Sequence, residues 1–389
     1  MLPRPLPRPG AGLVSRITGR HWQTGAGITL EVSGGRIASV RPCDKAEPGV
    51  LAPGLVDLQV NGWAGHDLND GALSADTAVR LCHALACLGV VAFLPTLITA
   101  APAALLDALS AIRGARESNA MASRMIAGVH MEGPAISPEE GPRGAHPPEH
   151  VRRLSLEEVS AWQRVSSGLV RMITLSPEWP GSEALIHGIA RQGIVVAIGH
   201  TAASAEEVHR AAAAGARVST HLGNGAAALL PRHPNHIWAQ LGDDRLVASF
   251  IADGHHLPAD TFRAMLRAKG LERSVLVSDV VAHGGLPPGR YASPIGGEVD
   301  LSEDGRLSMA GTPYLAGAGA PLVKCLGRAM EMAGLTLDAA LPLVTTLPAR
   351  LIGRSADLDE GSKANIIRLI DAPGGPELAA TWLGGERTT

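Results

Sequence analysis

The sequence predicts an α/β fold in which eight parallel strands close into a (β/α)8 barrel, with a small β-domain built from both termini. Three observations lead to this prediction. Short apolar runs alternate with helical patterns in the middle of the chain, residues 193–225 form one complete strand–helix–strand pattern, and β-like pieces lie near both ends. At 389 residues the chain exceeds the size at which one core stops growing, which favours a large domain with a smaller one.

The β-like pieces near the termini predict the small domain. Gly27–Val32 and Arg36–Val40 flank a Ser-Gly-Gly turn, which is a hairpin pattern, and Ala364–Leu369 is a further strand. The opening LPRPLPRPG is rich in proline and arginine and predicts a disordered tail. We therefore expect three parts: the tail at 1–11, the small domain at 12–50 with 355–389, and the barrel at 51–354.

Eight apolar runs of strand length predict the barrel strands. They are Leu55–Val60, Val90–Pro95, Met125–Met131, Leu169–Leu175, Ile194–Ile198, Arg217–Thr220, Val247–Ala252 and Ser274–Ser278. The helical patterns between them include Asp76–Leu88, Pro102–Ile112, Ser182–Gln192 and Pro258–Ala268. Eight such units suit a closed barrel whose chemistry lies at the carboxyl ends of the strands. A doubly wound open sheet is the alternative, but no G-x-G-x-x-G motif opens a helix.

The segment 193–225 shows most clearly what the strand ends carry. Its first strand stops at His200 and its second at His221. Between them, Ser204 and Glu207 form a capping box at the start of an alanine-rich helix, which Gly215 ends. A helical crossover makes the two strands parallel neighbours, so we expect both imidazoles at the same edge of the sheet.

Other predicted strands end in polar residues at the same edge. Glu132 follows the third strand and Asp279 follows the eighth. Two imidazoles and one carboxylate are a common catalytic zinc set, so Glu132, His200 and His221 are the predicted ligands, and Asp279 would lie beside them. Polar residues also mark where strands reach the surface, which is the alternative interpretation of each residue taken singly.

Composition excludes several classes of partner. The formal net charge of −3 gives no basic surface for nucleic acid. No apolar run approaches the length of a membrane span, and no signal peptide opens the sequence, so we expect no membrane partner. The four cysteines lack paired metal-ligand spacing, which favours reduced thiols in a cytoplasmic protein.

Several segments, in order, resemble the N-acetylglucosamine-6-phosphate deacetylase family of the amidohydrolase superfamily. They are APGLVDLQVNG, GVHMEGPAIS, RGAH, LSPE, IGHT, STHLGNGA, IADGHH, LVSD and LPAR. The resemblance runs from about Val32 to about Leu369. It implies a metal-dependent TIM barrel of the amidohydrolase type with a small β-sandwich domain, a homodimer, and hydrolysis of the N-acetyl group of an amino-sugar phosphate.

The resemblance also implies roles for individual residues. His146 would contact the substrate carbonyl, His256 would meet the phosphate in its own subunit, and Arg232 would reach the phosphate in the neighbouring subunit. Asn224 and Gly225 would add a side-chain and a backbone contact. A solvated loop cation is the alternative interpretation of Arg232, and a solvated loop histidine that of His146.

The predicted cofactor is one divalent metal ion, with zinc as the first choice. Gln59 and Asn61 share a strand face where many amidohydrolases carry two histidines, and amides bind zinc poorly, which favours a single ion. His130 shares a face with Glu132 and either orients it or packs in the core. As general base, Asp279 would take a proton from the attacking water and return it to the leaving nitrogen.

Departures from the family pattern surround the predicted sugar pocket. Gly223, Gly225 and His255 replace other residues common there, and VSDVVAHGG replaces a frequent D-A-T run. The reaction type is kept, and the amino sugar stays open. The alternatives are another N-acyl amino sugar, an unphosphorylated sugar or a cyclic amide, or a barrel kept as a non-catalytic scaffold.

Overall fold

The structure, a computed structural model, describes residues 15–293, 297–312 and 314–388. The predicted tail at residues 1–11 lies outside the described residues. In chain order the strands are β1 Ser15–His21, β2 Gly27–Ser33, β3 Arg36–Pro42, β4 Val50–Pro53, β5 Leu55–Val60, β6 Gly62–Trp63, β7 His66–Asp67, β8 Val90–Ile98, β9 Val129–Glu132, β10 Val170–Leu175, β11 Val195–Ile198, β12 Ala216–Ser219, β13 Val247–Ile251, β14 Ser274–Val277, β15 Gly289–Ser293, β16 Gly297–Leu301, β17 Leu307–Met309, β18 Ile366–Ala372, β19 Gly375–Leu383 and β20 Glu386–Arg387.

The α-helices lie mostly between the barrel strands. In chain order they are α1 Ala75–Ala86, α2 Pro102–Ser118, α3 Ala120–Met125, α4 Leu156–Val165, α5 Ser182–Ala190, α6 Ala205–Ala214, α7 His236–Gly242, α8 Ala259–Lys269, α9 Leu322–Ala333, α10 Leu337–Ala340 and α11 Thr346–Leu351. Short 3-10 turns occur at Pro148–His150, Leu271–Arg273 and Leu341–Val344.

Eight parallel strands form the barrel, in the order β14-β13-β12-β11-β10-β9-β8-β5. Each of the eight predicted runs overlaps one of them, which confirms the predicted fold class. The first and last strands meet beyond β14, where Asp279 N donates to Gln59 O at 3.0 Å and Asn61 N donates to Val280 O at 2.8 Å. Closure therefore brings the end of the first strand next to Asp279.

The predicted third strand begins too early. Met125 ends α3, and the strand starts only at Val129. Asn119 accounts for the difference, because its side chain accepts the Ala122 N–H and caps a short helix that runs up to Met125. The apolar pattern could not separate these two elements.

The strands near both termini form one seven-stranded sheet, in the order β20-β19-β18-β4-β1-β2-β3. Its ends close over a shared apolar core that includes Leu30, Ile366 and Trp382. β4 belongs to this sheet and crosses the predicted boundary at residue 50. The division at 50/51 and 354/355 remains a proposal.

A three-stranded antiparallel sheet, β15–β17, lies between β14 and α9 and did not emerge from the sequence patterns. Its apolar residues Val299, Leu301 and Leu307 pack with Val281 just beyond β14. The sheet therefore lies beside the carboxyl end of the barrel.

Within the described residues, no single helix has the length and apolar character needed to cross a membrane. One pair of segments, Leu322–Ala333 and Leu337–Leu351, is long and apolar enough only when the two are taken together, and a bend of 118° separates them.

Candidate metal centre and active site

The predicted site residues lie at the carboxyl ends of the barrel strands. Glu132 is the last residue of β9, while His200, His221 and Asp279 each lie two residues beyond β11, β12 and β14. These last three have positive φ angles, of 49°, 31° and 54° respectively. Non-glycine residues rarely adopt this conformation, and where they do they are common at active sites.

Glu132, His200 and His221 form a cluster whose ligand atoms all lie within 4.8 Å of one another. Glu132 Oε1 lies 3.1 Å from His221 Nε2 and 3.3 Å from His200 Nε2, and the two Nε2 atoms are 3.0 Å apart. Ligands that bind one zinc ion at about 2.0–2.2 Å each lie about this far from one another. The three side chains therefore fit a single divalent ion.

The surroundings of His200 give it the tautomer that a metal ligand requires. Its Nδ1 lies 2.9 Å from the carbonyl oxygen of Pro142, to which it donates a hydrogen bond. Nε2 is then left with its lone pair towards Glu132 and His221. The Nδ1 atom of His221 is buried and has no hydrogen-bond partner among the described residues.

The electrostatics of the two carboxylates differ. Burial alone would raise the pKa of Glu132, but hydrogen bonds from His200 and His221 outweigh it and hold the pKa well below its usual value. Burial, followed by the charge of Glu132, raises the pKa of Asp279 to about 8. A cation held beside them would favour the ionised form of both.

Two amides hold the carboxylates in place. Gln59 Nε2 donates to Glu132 Oε1 at 2.9 Å, and Asn61 Nδ2 donates to Asp279 Oδ1 at 2.7 Å. The sequence indicated only that these two amides are poor metal ligands compared with the histidines of related enzymes. It did not show their bonding partners, since the two bonds span 73 and 218 residues along the chain.

His130 contacts neither carboxylate through a hydrogen bond in the described structure. Its Nε2 lies 2.7 Å from the Thr174 hydroxyl and its Nδ1 lies 3.2 Å from Leu58 O. Burial lowers the pKa of His130 to about 4. Of the two interpretations given to it from the sequence, core packing is the one these contacts favour.

His146 lies beside the cluster in a buried position. Its ring centroid is 4.4 Å from that of His200, and its Nδ1 is 3.0 Å from the Thr99 hydroxyl. Burial, followed by the charge of His200, lowers the pKa of His146 to about 3, so its imidazole is neutral at pH 7. The solvated loop histidine is therefore the less suitable interpretation.

The loop after β12 brings Asn224 and Gly225 to the same region. The Asn224 side chain donates to the His221 carbonyl at 3.3 Å. Gly225 has φ +58°, and an added Cβ would lie 2.8 Å from His200 Nδ1. Gly223 has φ +99°, and a Cβ there would lie 2.9 Å from Leu257. Both positions therefore favour glycine, because a larger residue would be strained there and would crowd its neighbours.

The two residues predicted to bind phosphate have different surroundings. His256 follows β13, and its Nδ1 lies 2.7 Å from Asp253 Oδ2. Arg232 is exposed in the loop before α7 and makes no ion pair within the described residues. Within the described residues, His256 therefore has a charged partner and Arg232 has none.

The Amidohydrolase family model matches residues 50–386 of the chain. Among curated relatives, the N-acetylgalactosamine-6-phosphate deacetylase of Escherichia coli O157:H7 is 31% identical over 365 residues, which cover 92% of this chain and 93% of that protein. The N-acetylglucosamine-6-phosphate deacetylase of Bos taurus is 34% identical over 354 residues, which cover 87% and 83%.

Solved structures agree with these relatives. A mutant N-acetyl-D-glucosamine-6-phosphate deacetylase from Mycobacterium smegmatis, in complex with N-acetyl-D-glucosamine-6-phosphate, superimposes with a TM-score of 0.85 at 28% identity. The match covers 96% of this chain and 100% of that one.

Proposed function

The chain belongs to the amidohydrolase family, within its N-acetylglucosamine-6-phosphate deacetylases, and from this we propose that it hydrolyses N-acetylglucosamine-6-phosphate to glucosamine-6-phosphate and acetate. The observation that carries the proposal is the convergence of Glu132, His200 and His221 beside an Asp279 held by Asn61. Acetate release by purified protein, with and without chelator, tests it. A chelator-insensitive or absent release would contradict it.

The metal proposed is a single divalent ion, with zinc first, held by Glu132, His200 and His221. When bound, it supplies Lewis acidity for the acetyl carbonyl and lowers the pKa of water. Gln59 and Asn61 support a single ion, because both amides are already bound to the carboxylates.

Asp279 carries the proton transfers in this proposal. Its carboxylate removes a proton from the attacking water as the water oxygen bonds to the acetyl carbon. The same proton then passes to the amide nitrogen as the C–N bond breaks, which makes the amine a better leaving group. His146 Nδ1 lies 3.0 Å from the Thr99 hydroxyl, and in the tautomer that carries the proton on Nε2 the imidazole can donate a hydrogen bond to the carbonyl oxygen.

The two amides should have separable effects. We expect Asn61→Ala to lower kcat by about 10–100-fold with the metal content unchanged, because only Asp279 loses its partner. We expect Gln59→Ala to weaken metal affinity by about 10–100-fold, because Glu132 loses its donor. Metal content after dialysis and kcat in excess metal distinguish the two. The reverse pattern would show that the amides do not act through these carboxylates.

We further propose a homodimer in which Arg232 reaches the phosphate bound by the partner subunit. Arg232 is exposed, and Leu229 and Trp238 on either side are 91% and 57% exposed. An anionic phosphate suits the planar guanidinium of arginine. His256, Asn224 and Gly225 are the proposed contacts from the substrate's own subunit.

Localisation in the cytoplasm, suggested by the absence of disulfides among the four cysteines, remains a prediction.

Arg232→Ala should raise the KM for the 6-phosphate sugar by about tenfold or more and leave the free sugar unaffected. Mixing Asp279→Asn subunits with Arg232→Ala subunits should then restore about one quarter of wild-type activity, because each mixed dimer has one intact site. No recovery from exchanged subunits, or equal activity on both sugars, would contradict the shared site.

The 4-epimer, N-acetylgalactosamine-6-phosphate, is a second candidate substrate. A relative at 31% identity is named for it, and the loop changes at Gly223 and His255 surround the proposed sugar site. Comparing kcat/KM for the two phosphates decides between them.

A further inference from the structure

The loop after β13 contains a carboxylate–imidazole pair. Asp253 Oδ2 lies 2.7 Å from His256 Nδ1, and the two side chains are only 2% and 8% exposed. Burial alone would raise the pKa of Asp253, but the hydrogen bond and charge of His256 outweigh it and lower the pKa. The carboxylate is therefore ionised at neutral pH, and it faces the imidazole.

The same carboxylate shapes the loop. Asp253 Oδ1 accepts the backbone N–H of His255 at 2.8 Å and that of His256 at 2.9 Å, and Gly254 between them has φ +83°. Both oxygens of one buried side chain thus hold the backbone and the ring of His256. The orientation of the imidazole depends on Asp253.

The hydrogen bond fixes which ring nitrogen carries a proton. A carboxylate accepts only, so Nδ1 of His256 must hold a hydrogen. A neutral imidazole would then present a lone pair at Nε2, which repels a phosphate oxygen. Only the imidazolium presents an N–H at Nε2, and the carboxylate of Asp253 stabilises that cation. Nε2 has no hydrogen-bond partner among the described residues, which leaves it available to a ligand.

We propose that Asp253 is a positioning residue that keeps His256 as a cationic N–H donor for the phosphate of the substrate. The proposal rests on the proposed function, which places a phosphate at His256. Other titratable and charged groups face this pair from the two helices beside it. Cys325 of α9 is buried near Asp253, and a neighbouring cavity of about 450 Å³ is lined by Arg263 of α8 and by Arg328 and Glu331 of α9, which pair with each other at 3.0 Å.

Asp253→Asn is the sharpest test, because the amide oxygen can still accept the two backbone N–H groups while the charge is lost. The amide NH2 would then donate to Nδ1 and leave His256 neutral with its proton on Nε2. We expect the KM for N-acetylglucosamine-6-phosphate to rise about tenfold, the difference between a charge-assisted and a neutral hydrogen bond. Neither kcat nor the KM for free N-acetylglucosamine should change.

Nitrogen NMR of the histidine rings gives a readout that a purely structural role would not alter. Wild-type His256, assigned with His256→Gln, should have protons on both ring nitrogens near pH 7, whereas Asp253→Asn should have only one. An unchanged KM, or an unchanged ring signal, would overturn the proposal. So would a loss of kcat on both sugars together with a lower melting temperature, which would indicate a loop held only for stability.

The result also separates this inference from the proposed function. If wild-type protein fails to prefer the phosphorylated sugar, the proposed function is wrong. If wild type prefers it, and His256→Gln removes that preference while Asp253→Asn does not, only the role of Asp253 is wrong.

Discussion

Asp279→Asn should retain the bound metal and lower kcat by about 10³-fold, because general acid–base catalysis contributes about 10²–10⁴-fold. Asparagine has nearly the same shape and can still accept the hydrogen bond from Asn61, but it cannot take a proton from water. Metal analysis and steady-state kinetics on the same preparation check the two halves of this expectation. A decrease of only a few fold would mean that Asp279 positions other groups.

The pH–rate profile gives an independent test of Asp279. A general base must be ionised, so kcat/KM should fall towards acid as the carboxylate gains its proton. Burial and Glu132 raise the pKa of Asp279 to about 8 when no cation is present. A bound divalent ion favours the carboxylate and moves the acid limb to lower pH. Asp279→Asn should lose this limb, and its persistence in that variant would assign it to another group.

Replacing His200 or His221 with alanine should remove metal and activity together. The wild-type protein is expected to hold about one tightly bound divalent ion per chain, and loss of one ligand of three leaves too few protein donors for a stable site. Inductively coupled plasma mass spectrometry and acetate release measure the two quantities.

His187→Ala is the matched control for these two variants. His187 is an exposed histidine in the last turn of α5, outside the cluster of predicted ligands, and its replacement should leave metal content and turnover unchanged. Full activity in metal-free His200→Ala or His221→Ala protein would end the metal hypothesis. Loss of metal in the His187→Ala control would show that the assay reports general damage.

The predictions for Asp279 and for the metal ligands also distinguish the proposed function from its two competitors. A barrel that serves only as a scaffold requires neither Asp279 nor a metal. An amidohydrolase that acts on a different N-acyl or cyclic amide requires both Asp279 and the metal. Its activity would not depend on phosphate contacts from His256 and Arg232. A substrate panel that combines both phosphorylated epimers, the free sugars and a cyclic amide separates the remaining cases.

The sequence by itself determined the barrel and the residues at its carboxyl edge. Apolar runs and capping signals such as Ser204 with Glu207 act over a few residues, and the structure contains the full capping box at α6. Neighbouring parallel strands have their carboxyl ends at the same edge of the sheet, so the sequence alone predicts that His200 and His221 lie together.

Only the tertiary structure decided how those residues are held. Pro142 fixes the tautomer of His200, and Asn61 binds Asp279 across 218 residues of chain, contacts that no local pattern encodes. The positive φ angles at the strand ends are likewise maintained by surrounding packing. Local residue preferences determine the helices and strands. The orientation of each side chain depends on residues distant in the sequence, which come into contact only when the barrel closes.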